Sequence, residues 1–380
     1  MSRLKPLHSL LPSSQNPYAS KSIWERLHID VPLLVGLLVL IGLGLVILYS
    51  AGDQNIGILL RQVSRVALAF GILFVFAQIP PQKLQNWALG LFIVGLIFLL
   101  AVLISGHIGK GARRWLDLGL LRFQPSEIMK LAIPMLLAWY LSDKPLPPRL
   151  KTVAICGLII VVPVIITAKQ PDLGTALMLA LAGACVLFLA GLRWSFIIIS
   201  LLLASAAAPL AWHFMHDYQR QRVLTFLNPE QDPLGSGYHI IQSKIAIGSG
   251  GVSGKGWLNG TQAYLDFLPE HSTDFIFAVC GEEFGLIGGI ILLLSYLFVA
   301  FRGLYLSTQA QDTFGRLLSG SLALTFFFST FINIGMVSGI LPVVGIPLPL
   351  ISYGGTSMVT FMASFGIMMS INNHRKLLAK

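Results

Sequence analysis

Residues 31–51 have the sequence VPLLVGLLVLIGLGLVILYSA, a run without any charged side chain. An apolar run of about 20 residues is long enough to cross a hydrocarbon core of roughly 30 Å as a helix. Similar runs recur almost to the C-terminus, and no soluble domain fits between them. The pattern therefore predicts an all-α integral membrane protein.

The composition supports this fold class. Of the 380 residues, 55% are hydrophobic and 11% are charged, whereas soluble domains carry about a quarter charged residues. The first 30 residues are polar and the apolar run after them is not followed by a small-residue cleavage site, so we interpret that run as a retained span. Cys156, Cys185 and Cys280 all lie inside apolar runs, which argues against a disulfide framework or a zinc site.

Hydropathy predicts about ten transmembrane helices. Their ranges are 32–51, 59–79, 86–105, 125–141, 152–168, 173–190, 194–214, 274–300, 315–338 and 350–371. An even number of spans places both termini on one side of the membrane, and cationic tails favour the cytoplasmic side. The cations of the tails are Arg3, Lys5, Lys21, Arg26, Arg375, Lys376 and Lys380. We expect a cytoplasmic tail over 1–30, a membrane domain over 31–372 and a second cytoplasmic tail over 373–380.

The loops that this topology places outside are also rich in cations. They contain Lys110, Arg113, Arg114, Arg122, Lys169, Arg220, Arg222, Lys244 and Lys255. Topology does not require these charges, and the net charge of the chain is +10. An anionic partner such as a phosphate or an acidic headgroup explains them, and general attraction to anionic lipid is the alternative.

One outer loop, about 213–273, is unusually long. It contains an amphipathic piece, Tyr238 to Ile247, and a glycine-rich run, Gly248 to Gly256. Its aromatic and aliphatic content predicts an ordered lid that lies on the membrane surface. The glycine-rich run does not fit an intramembrane serine protease or a phosphate-binding loop, because no histidine partner is evident and Gly256 stands where a Ser or Thr is required.

Acidic side chains at or within the outer ends of spans are the main candidates for chemistry, because ionisable groups are costly there. They are Glu127, Asp172, Asp274, Glu282 and Glu283. Glu127 and Asp172 both follow a Gln-Pro pair, and an acid near a helix start is also ordinary helix-start sequence. For Asp274, an N-cap at Ser272 or Thr273 is the corresponding structural explanation.

Two further predictions follow from spacing along a helix. Lys130 lies three residues after Glu127, so the two side chains share a helix face and can pair. Glu282 and Glu283 lie about 12 Å deeper than Asp274 if the helix is continuous at 1.5 Å per residue. We expect this deeper pair to make structural hydrogen bonds.

Several motifs together resemble those of the SEDS family of cell-wall polymerases, and they match its elongation branch better than its division branch. They are Arg114-Trp115-Leu, Phe123-Gln-Pro-Ser-Glu127-Ile-Met-Lys130, Gln170-Pro-Asp172-Leu-Gly-Thr175, Gly254-Lys-Gly-Trp257-Leu-Asn-Gly260-Thr-Gln262, Phe267-Leu-Pro-Glu-His-Ser-Thr-Asp274-Phe-Ile-Phe, Gly281-Glu-Glu-Phe-Gly285 and Gly345-Ile-Pro-Leu-Pro-Leu-Ile-Ser352-Tyr-Gly-Gly355. The matches extend from the third predicted span to the last.

The resemblance implies a ten-helix fold in the bacterial inner membrane and a glycosyltransferase that polymerises lipid II into peptidoglycan during elongation. It implies Asp274 as the general base, a cavity that includes Glu127, Lys130 and Asp172, and Arg114 and Trp115 beside it. Lys244 is a further candidate for substrate binding. The implied partners are a class B penicillin-binding protein, membrane proteins of the rod complex and the cytoskeleton, and no nucleic acid.

Two questions stay open at this point. The charge of the substrate's diphosphate can be met by Arg and Lys or by a divalent cation, Mg or Mn, and the sequence does not decide between them. A helical bundle with intramembrane acids also fits a lipid flippase or an ion-coupled carrier, and a scaffold without activity is the third alternative. A carrier needs ionisable groups near the midplane, whereas most of these acids lie at the outer end.

The predicted topology is testable by labelling single cysteines with a membrane-impermeant maleimide. Because Arg114, Lys244 and Lys255 are predicted outside, Lys244→Cys is expected to react in intact cells. An Arg3→Cys variant serves as the control and is expected to react only after permeabilisation. Reaction of Lys244→Cys only in opened membranes would place the proposed site on the wrong face.

Overall fold

The structure is a computed structural model that describes residues 27–109, 112–117, 122–214, 217–228, 236–264 and 270–374. Some residues named above lie outside these ranges: Arg3, Lys5, Lys21, Arg26, Lys110, Arg375, Lys376, Lys380 and the first three residues of the motif that begins at Phe267.

Each of the ten predicted spans forms a helix, so the predicted helical membrane fold is confirmed. The helices are α1 Val31–Ala51, α2 Ile56–Gln78, α3 Pro81–Ser105, α4 Pro125–Ser142, α5 Leu150–Lys169, α6 Leu173–Leu189, α7 Trp194–Phe214, α8 Asp217–Leu227, α9 Ser236–Gly250, α10 Thr261–Tyr264, α11 Ile276–Thr308, α12 Thr313–Val337 and α13 Thr356–Asn373. Three of them, α8 to α10, lie in the long outer segment.

Six of the helices in the described part of the chain are long and apolar enough by themselves to cross a membrane. They are α1, α2, α3, α5, α11 and α12. Large apolar side chains on the outside of the bundle are exposed, including Ile104 and Leu158, as expected for a protein whose solvent is lipid. By contrast, α4 is buried along most of its length, so it is enclosed by protein and can carry polar residues.

The three cysteines are buried free thiols, as predicted.

A small antiparallel sheet between α3 and α4 was not predicted. Its strands are β1 His107–Gly109, β2 Ala112–Asp117 and β3 Arg122–Phe123, in the order β1-β2-β3. Trp115 pairs with His107, and Asp117 pairs with Arg122. Strands this short have no clear hydrophobic alternation, so their sequence carries little signal. The sheet positions Arg114 and Trp115 beside the start of α4.

The two ends of the described chain meet at one end of the bundle. The ring of His28 stacks on the ring of His374 with centroids 4.3 Å apart. Nearby, the hydroxyl of Ser370 donates to the carbonyl of Ile79. Both termini therefore lie on the same side, opposite the C-terminal end of α1, and their cytoplasmic location stays a prediction.

Helix α9 packs against the bundle along one face, and the lid on the membrane surface stays a prediction for the long loop. Ile240 and Ala246 are buried, and the hydroxyl of Ser243 donates to the carbonyl of Val337 at 2.9 Å. A Cβ at Gly250 would lie 2.0 Å from the carbonyl oxygen of Gly281 in α11. Only glycine permits this close approach of the two backbones.

Helix α11 is interrupted at Gly285, where φ is 62° and ψ is −157°. This conformation is essentially restricted to glycine. The interruption frees backbone groups on both sides, and the loop after α9 binds them. The four hydrogen bonds run from Leu286 N to Gly251 O (3.0 Å), Ile287 N to Val252 O (3.1 Å), Lys255 N to Glu282 O (3.0 Å) and Gly256 N to Glu283 O (3.0 Å). The glycine-rich run thus serves as the backbone partner of a broken helix.

We predict that Gly285→Ala destabilises the protein, while Gly289→Ala on the same helix does not. A Cβ at Gly285 would lie 2.4 Å from the amide nitrogen of Gly254, whereas a Cβ at Gly289 would have its nearest neighbour at 3.9 Å. The backbone strain alone costs about 1–3 kcal/mol. Thermal unfolding in detergent measures the difference, and equal midpoints for the two variants would contradict the proposed role of the break.

Candidate functional site

Glu127 and Lys130 form a buried ion pair in the first turns of α4. The Nζ of Lys130 lies 2.7 Å from Oε1 of Glu127, and the two side chains are only 8% and 7% exposed. The pairing predicted from their spacing is therefore confirmed. Two opposite charges held together in a dry environment are stable only as a pair, because removal of either leaves a buried charge.

Asp172 connects three elements of the fold. As the N-cap of α6, it accepts hydrogen bonds from the amide and the hydroxyl of Thr175. Its Oδ2 also lies 3.3 Å from Nε2 of Gln124 and 3.5 Å from Nε of Arg114. The helix-start interpretation is confirmed, and the same carboxylate holds the arginine of β2, while the substrate-binding role of Asp172 stays a prediction.

Three hydrogen bonds fix the backbone carbonyls of residues 272–274, and one of their donors, Asn333, also binds Ile346. The side chain of Asn333 donates to the carbonyl of Asp274 at 2.8 Å and to the carbonyl of Ile346 at 2.7 Å. The hydroxyl of Ser352 donates to the carbonyl of Thr273 at 2.6 Å, and the amide of Tyr353 donates to the carbonyl of Ser272 at 2.9 Å. Asp274 therefore has a rigid main chain.

The capping alternative for this corner does not match the helix boundary. Helix α11 begins at Ile276, its N-cap is Phe275, and no side chain caps it by a hydrogen bond. Ser272, Thr273 and Asp274 all precede the N-cap. The acid at position 274 thus has a position that helix capping does not explain.

Residues 344–346 lie between Asp172 and Asp274 and bring the two regions together. A Cβ at Gly174, two residues after Asp172, would lie 2.3 Å from the carbonyl oxygen of Val344. A Cβ at Gly345 would lie 3.6 Å from Oδ2 of Asp274. Gly345 thus lies directly beside the carboxylate of Asp274.

The predicted relative depth of the acids is wrong. The hydroxyl of Ser50, in the last turn of α1, donates to Glu283, so Glu282 and Glu283 lie at the end of the bundle opposite the two termini. In contrast, Ile351 packs against Gly44, which precedes the end of α1 by about 10 Å of helix. Residues 272–274, which bind the adjoining residues 352 and 353, lie at that deeper level.

The prediction from spacing is wrong because it assumed one continuous helix from residue 274 inwards. Residues 276–284 instead run towards the end of the bundle that holds Ser50, and the chain turns at Gly285. The prediction that Glu282 and Glu283 are structural is consistent with their contacts, since Glu282 accepts hydrogen bonds from the amides of Thr261 and Gln262. Asp274 lies inside the bundle and not at its outer mouth.

Lys255, Lys244 and Trp115, the other residues predicted to bind an anionic partner or substrate, lie in three different surroundings. Lys255 is paired with Glu282 at 2.6 Å, which corrects its interpretation as a cation available to an anionic partner. Lys244 lies across the turn after α12, where a Cβ at Gly339 would be 2.8 Å from its Nζ. Trp115 is half-buried on β2.

Sequence reasoning missed Asn333, Arg61 and Arg65. Asn333 lies in an apolar helix and is fully buried, so a polar residue in such a run was the available signal. Arg61 and Arg65 lie in the second predicted span and were not counted with the loop cations. They contact Tyr353: Nε of Arg61 lies 3.2 Å from its hydroxyl, and Arg65 lies over its ring.

Comparison with known proteins identifies close relatives over almost the whole chain. The sequence model of the FtsW/RodA/SpoVE family, described as cell cycle proteins, matches residues 26–377. The peptidoglycan glycosyltransferase MrdB of Escherichia coli K12 is 53% identical over 361 residues, which cover 95% of this chain and 98% of the relative. The probable peptidoglycan glycosyltransferase FtsW of Trichlorobacter lovleyi is 37% identical and covers 92% of this chain and 94% of its own length.

Solved structures show the same fold. A chain of a peptidoglycan synthase complex, whose description concerns the coordination of polymerization and crosslinking, has a TM-score of 0.81 and 33% identity. The match covers 92% of this chain and 98% of that one. The rod shape determining protein RodA of Thermus thermophilus has a TM-score of 0.70 and 27% identity, with 91% and 98% coverage.

The Glu127–Lys130 pair permits a test that separates folding from activity. Glu127→Gln is expected to lower the free energy of unfolding by about 3 kcal/mol, because Lys130 then lacks its counter-charge. The double variant Glu127→Gln/Lys130→Met is expected to recover most of that stability but not glycan synthesis. Thermal unfolding and product formation are measured on the same preparations, and full activity of the double variant would show that the pair only supports the fold.

Proposed function

The chain belongs to the FtsW/RodA/SpoVE family of cell cycle proteins, and we propose that it polymerises lipid II into glycan strands during cell elongation and rod-shape maintenance. Its activity is that of a peptidoglycan glycosyltransferase, like the MrdB relative that is 53% identical. The observation that carries the proposal is the fixed main chain at Asp274, where Asn333 binds its carbonyl and Ser352 binds the carbonyl of Thr273.

The reaction joins a hydroxyl of the acceptor sugar to the anomeric carbon of the donor. The bond between that carbon and the diphosphate breaks, and the electron pair leaves with the diphosphate. Asp274 accepts the proton of the attacking hydroxyl, which raises the nucleophilicity of its oxygen. A base on a fixed main chain is suited to this role, because a small displacement of the base lowers the rate strongly.

Cations near Asp172 and Glu127 are suited to neutralise the diphosphate as it leaves. Arg114 and Lys130 are each held by a carboxylate at 3.5 Å and 2.7 Å, so their positions are fixed before the charge develops. Preorganised cations of this kind stabilise a transition state without reorganisation. Lys244 and Trp115 are proposed to contact the substrate further from the bond that breaks.

We also propose that a divalent cation, Mg or Mn, binds the diphosphate. Within the described ranges no three potential metal ligands of the His, Cys, Asp or Glu type come together. Such an ion would therefore take most of its ligands from the diphosphate and water, which is usual for Mg. It would supply the same charge neutralisation as Arg114 and Lys130.

The proposed partners follow from the same relatives. One similar chain is part of a complex described by polymerization and crosslinking, and a class B penicillin-binding protein is proposed as the crosslinking partner here. Rod-complex membrane proteins and the cytoskeleton are proposed as further contacts. The protein is an integral membrane protein, and we place it in the inner membrane with both termini in the cytoplasm.

Purified protein incubated with lipid II, alone and then with its crosslinking partner, tests the proposal. Asp274→Asn is the decisive variant, because Asn keeps the size and shape of the side chain but cannot accept the proton. The rate of polymer formation is expected to fall by about 10² to 10⁴, with unchanged thermal stability. Asp143→Asn, at the exposed C-cap of α4, is the control and is expected to polymerise at the normal rate.

Two outcomes would contradict the proposal in different ways. An Asp274→Asn rate above about a tenth of the normal rate would remove the assigned base. Absence of glycan polymer with either mixture, together with movement of lipid II across vesicle membranes, would favour the flippase.

A further inference from the structure

Two arginines of α2 form a cationic cluster with Tyr353. Arg61 and Arg65 are four residues apart, so they share one face of the helix. Nε of Arg61 lies 3.2 Å from the hydroxyl of Tyr353, and the guanidinium carbon of Arg65 lies 4.4 Å from the centre of its ring. Tyr353 belongs to the loop that precedes α13.

These two arginines differ from the cations of the bundle that are paired with carboxylates. Arg114, Lys130, Lys255 and Arg302 each have a carboxylate within ion-pair distance. Within the described residues, Arg61 and Arg65 have none. Nη1 of Arg65 is also buried without a hydrogen-bond partner. Two like charges one turn apart repel each other, and a buried donor without a partner is costly, so an anion would relieve both effects.

The start of helix α13 adds to the positive potential of this cluster. Its N-cap is Gly355, next to Arg65, and no side-chain hydrogen bond caps the helix. The first amide groups of α13 therefore contribute a partial positive charge on the same side as the two arginines.

The cluster adjoins the segment that carries Asp274 and has free space beside it. The amide of Tyr353 donates to the carbonyl of Ser272 at 2.9 Å. A Cβ at Gly354 would meet no atom within 4 Å, and a Cβ at Gly355 would have Cδ of Arg65 as its nearest atom at 3.5 Å. Two consecutive glycines thus leave open the side of the loop next to the arginines.

We propose that Arg61, Arg65 and the hydroxyl of Tyr353 bind a phosphate group carried by a lipid. Guanidinium groups hold phosphate oxygens by two parallel hydrogen bonds, and the tyrosine hydroxyl, which accepts from Arg61, can donate to a third oxygen. The phosphate belongs either to the diphosphate of the substrate or to the headgroup of a phospholipid.

The assignment to substrate rests on the proposed function. The first bond of a glycan strand joins two molecules of lipid II, so two diphosphates must be held at once. Arg114 and Lys130 are placed to hold one of them. The arginine pair, which has no counter-charge of its own, is placed to hold the other on the side of the Asp274 segment that binds Tyr353.

A binding measurement without any sugar tests the site separately from catalysis. The protein is placed in nanodiscs of phosphatidylcholine and titrated with farnesyl diphosphate, which cannot undergo transfer. The variants are Arg61→Gln/Arg65→Gln, Arg61→Lys/Arg65→Lys, and the control Arg149→Gln, which removes an exposed arginine at the start of α5. A second series replaces part of the phosphatidylcholine by phosphatidylglycerol, and thermal stability is measured for every variant without ligand.

The double Gln variant is expected to bind farnesyl diphosphate at least about tenfold more weakly, because it loses charge-assisted hydrogen bonds. The double Lys variant, which keeps the charges but not the fork geometry, is expected to bind with intermediate affinity, and Arg149→Gln with unchanged affinity. If the double Gln variant does not fold, Arg61→Gln alone is measured, since Arg61 is exposed.

The two series distinguish the source of the phosphate. Arginine-dependent binding of farnesyl diphosphate supports the site and assigns it to the substrate. Arginine-dependent stabilisation by phosphatidylglycerol alone supports the site and assigns it to a headgroup. Equal behaviour of the double Gln variant and the normal protein in both series overturns the proposal, whereas failure of polymerisation or of the Asp274 assignment leaves these binding results unchanged.

Discussion

The structure depends on one constraint, which is that a backbone amide or carbonyl inside a bilayer needs a hydrogen-bond partner within the protein. A continuous helix satisfies this requirement by itself, but α11 is interrupted at Gly285. The loop after α9 supplies donors and acceptors to both sides of the interruption, from Gly251 to Gly256. Because backbones must touch for this to happen, glycine is needed at Gly250, Gly254 and Gly285, where a Cβ would collide with another backbone.

The same loop is fixed by charge as well as by backbone contacts. Glu282 is fully buried and accepts hydrogen bonds from the side chain of Lys255 and from the backbone of Thr261 and Gln262. This carboxylate binds the loop at Lys255 and the start of α10 at Thr261, so the segment after α9 and helix α11 form one unit. Two motifs that are distant in the sequence, around Gly254 and around Glu282, are therefore parts of one structural device.

The interruption also determines the position of Asp274. The chain runs from Asp274 towards the end of the bundle that holds Glu283 and then turns back through the rest of α11, so Asp274 lies inside the bundle. The main chain beside it is anchored by Asn333 and Ser352, and residues 344–346 connect this region to the start of α6.

The sequence by itself determined the helices and the contacts between close neighbours. Apolar runs become helices in lipid because no other open structure satisfies the backbone, and the Glu127–Lys130 pair and the Asp172 cap follow from spacings of three residues. The tertiary structure alone decided the sheet that carries Arg114, the pairing of Lys255 with Glu282, the depth of Asp274 and the contact of Arg61 with Tyr353, 292 residues apart. These features depend on which distant segments pack together, and periodicity along a single helix contains no information about its neighbours.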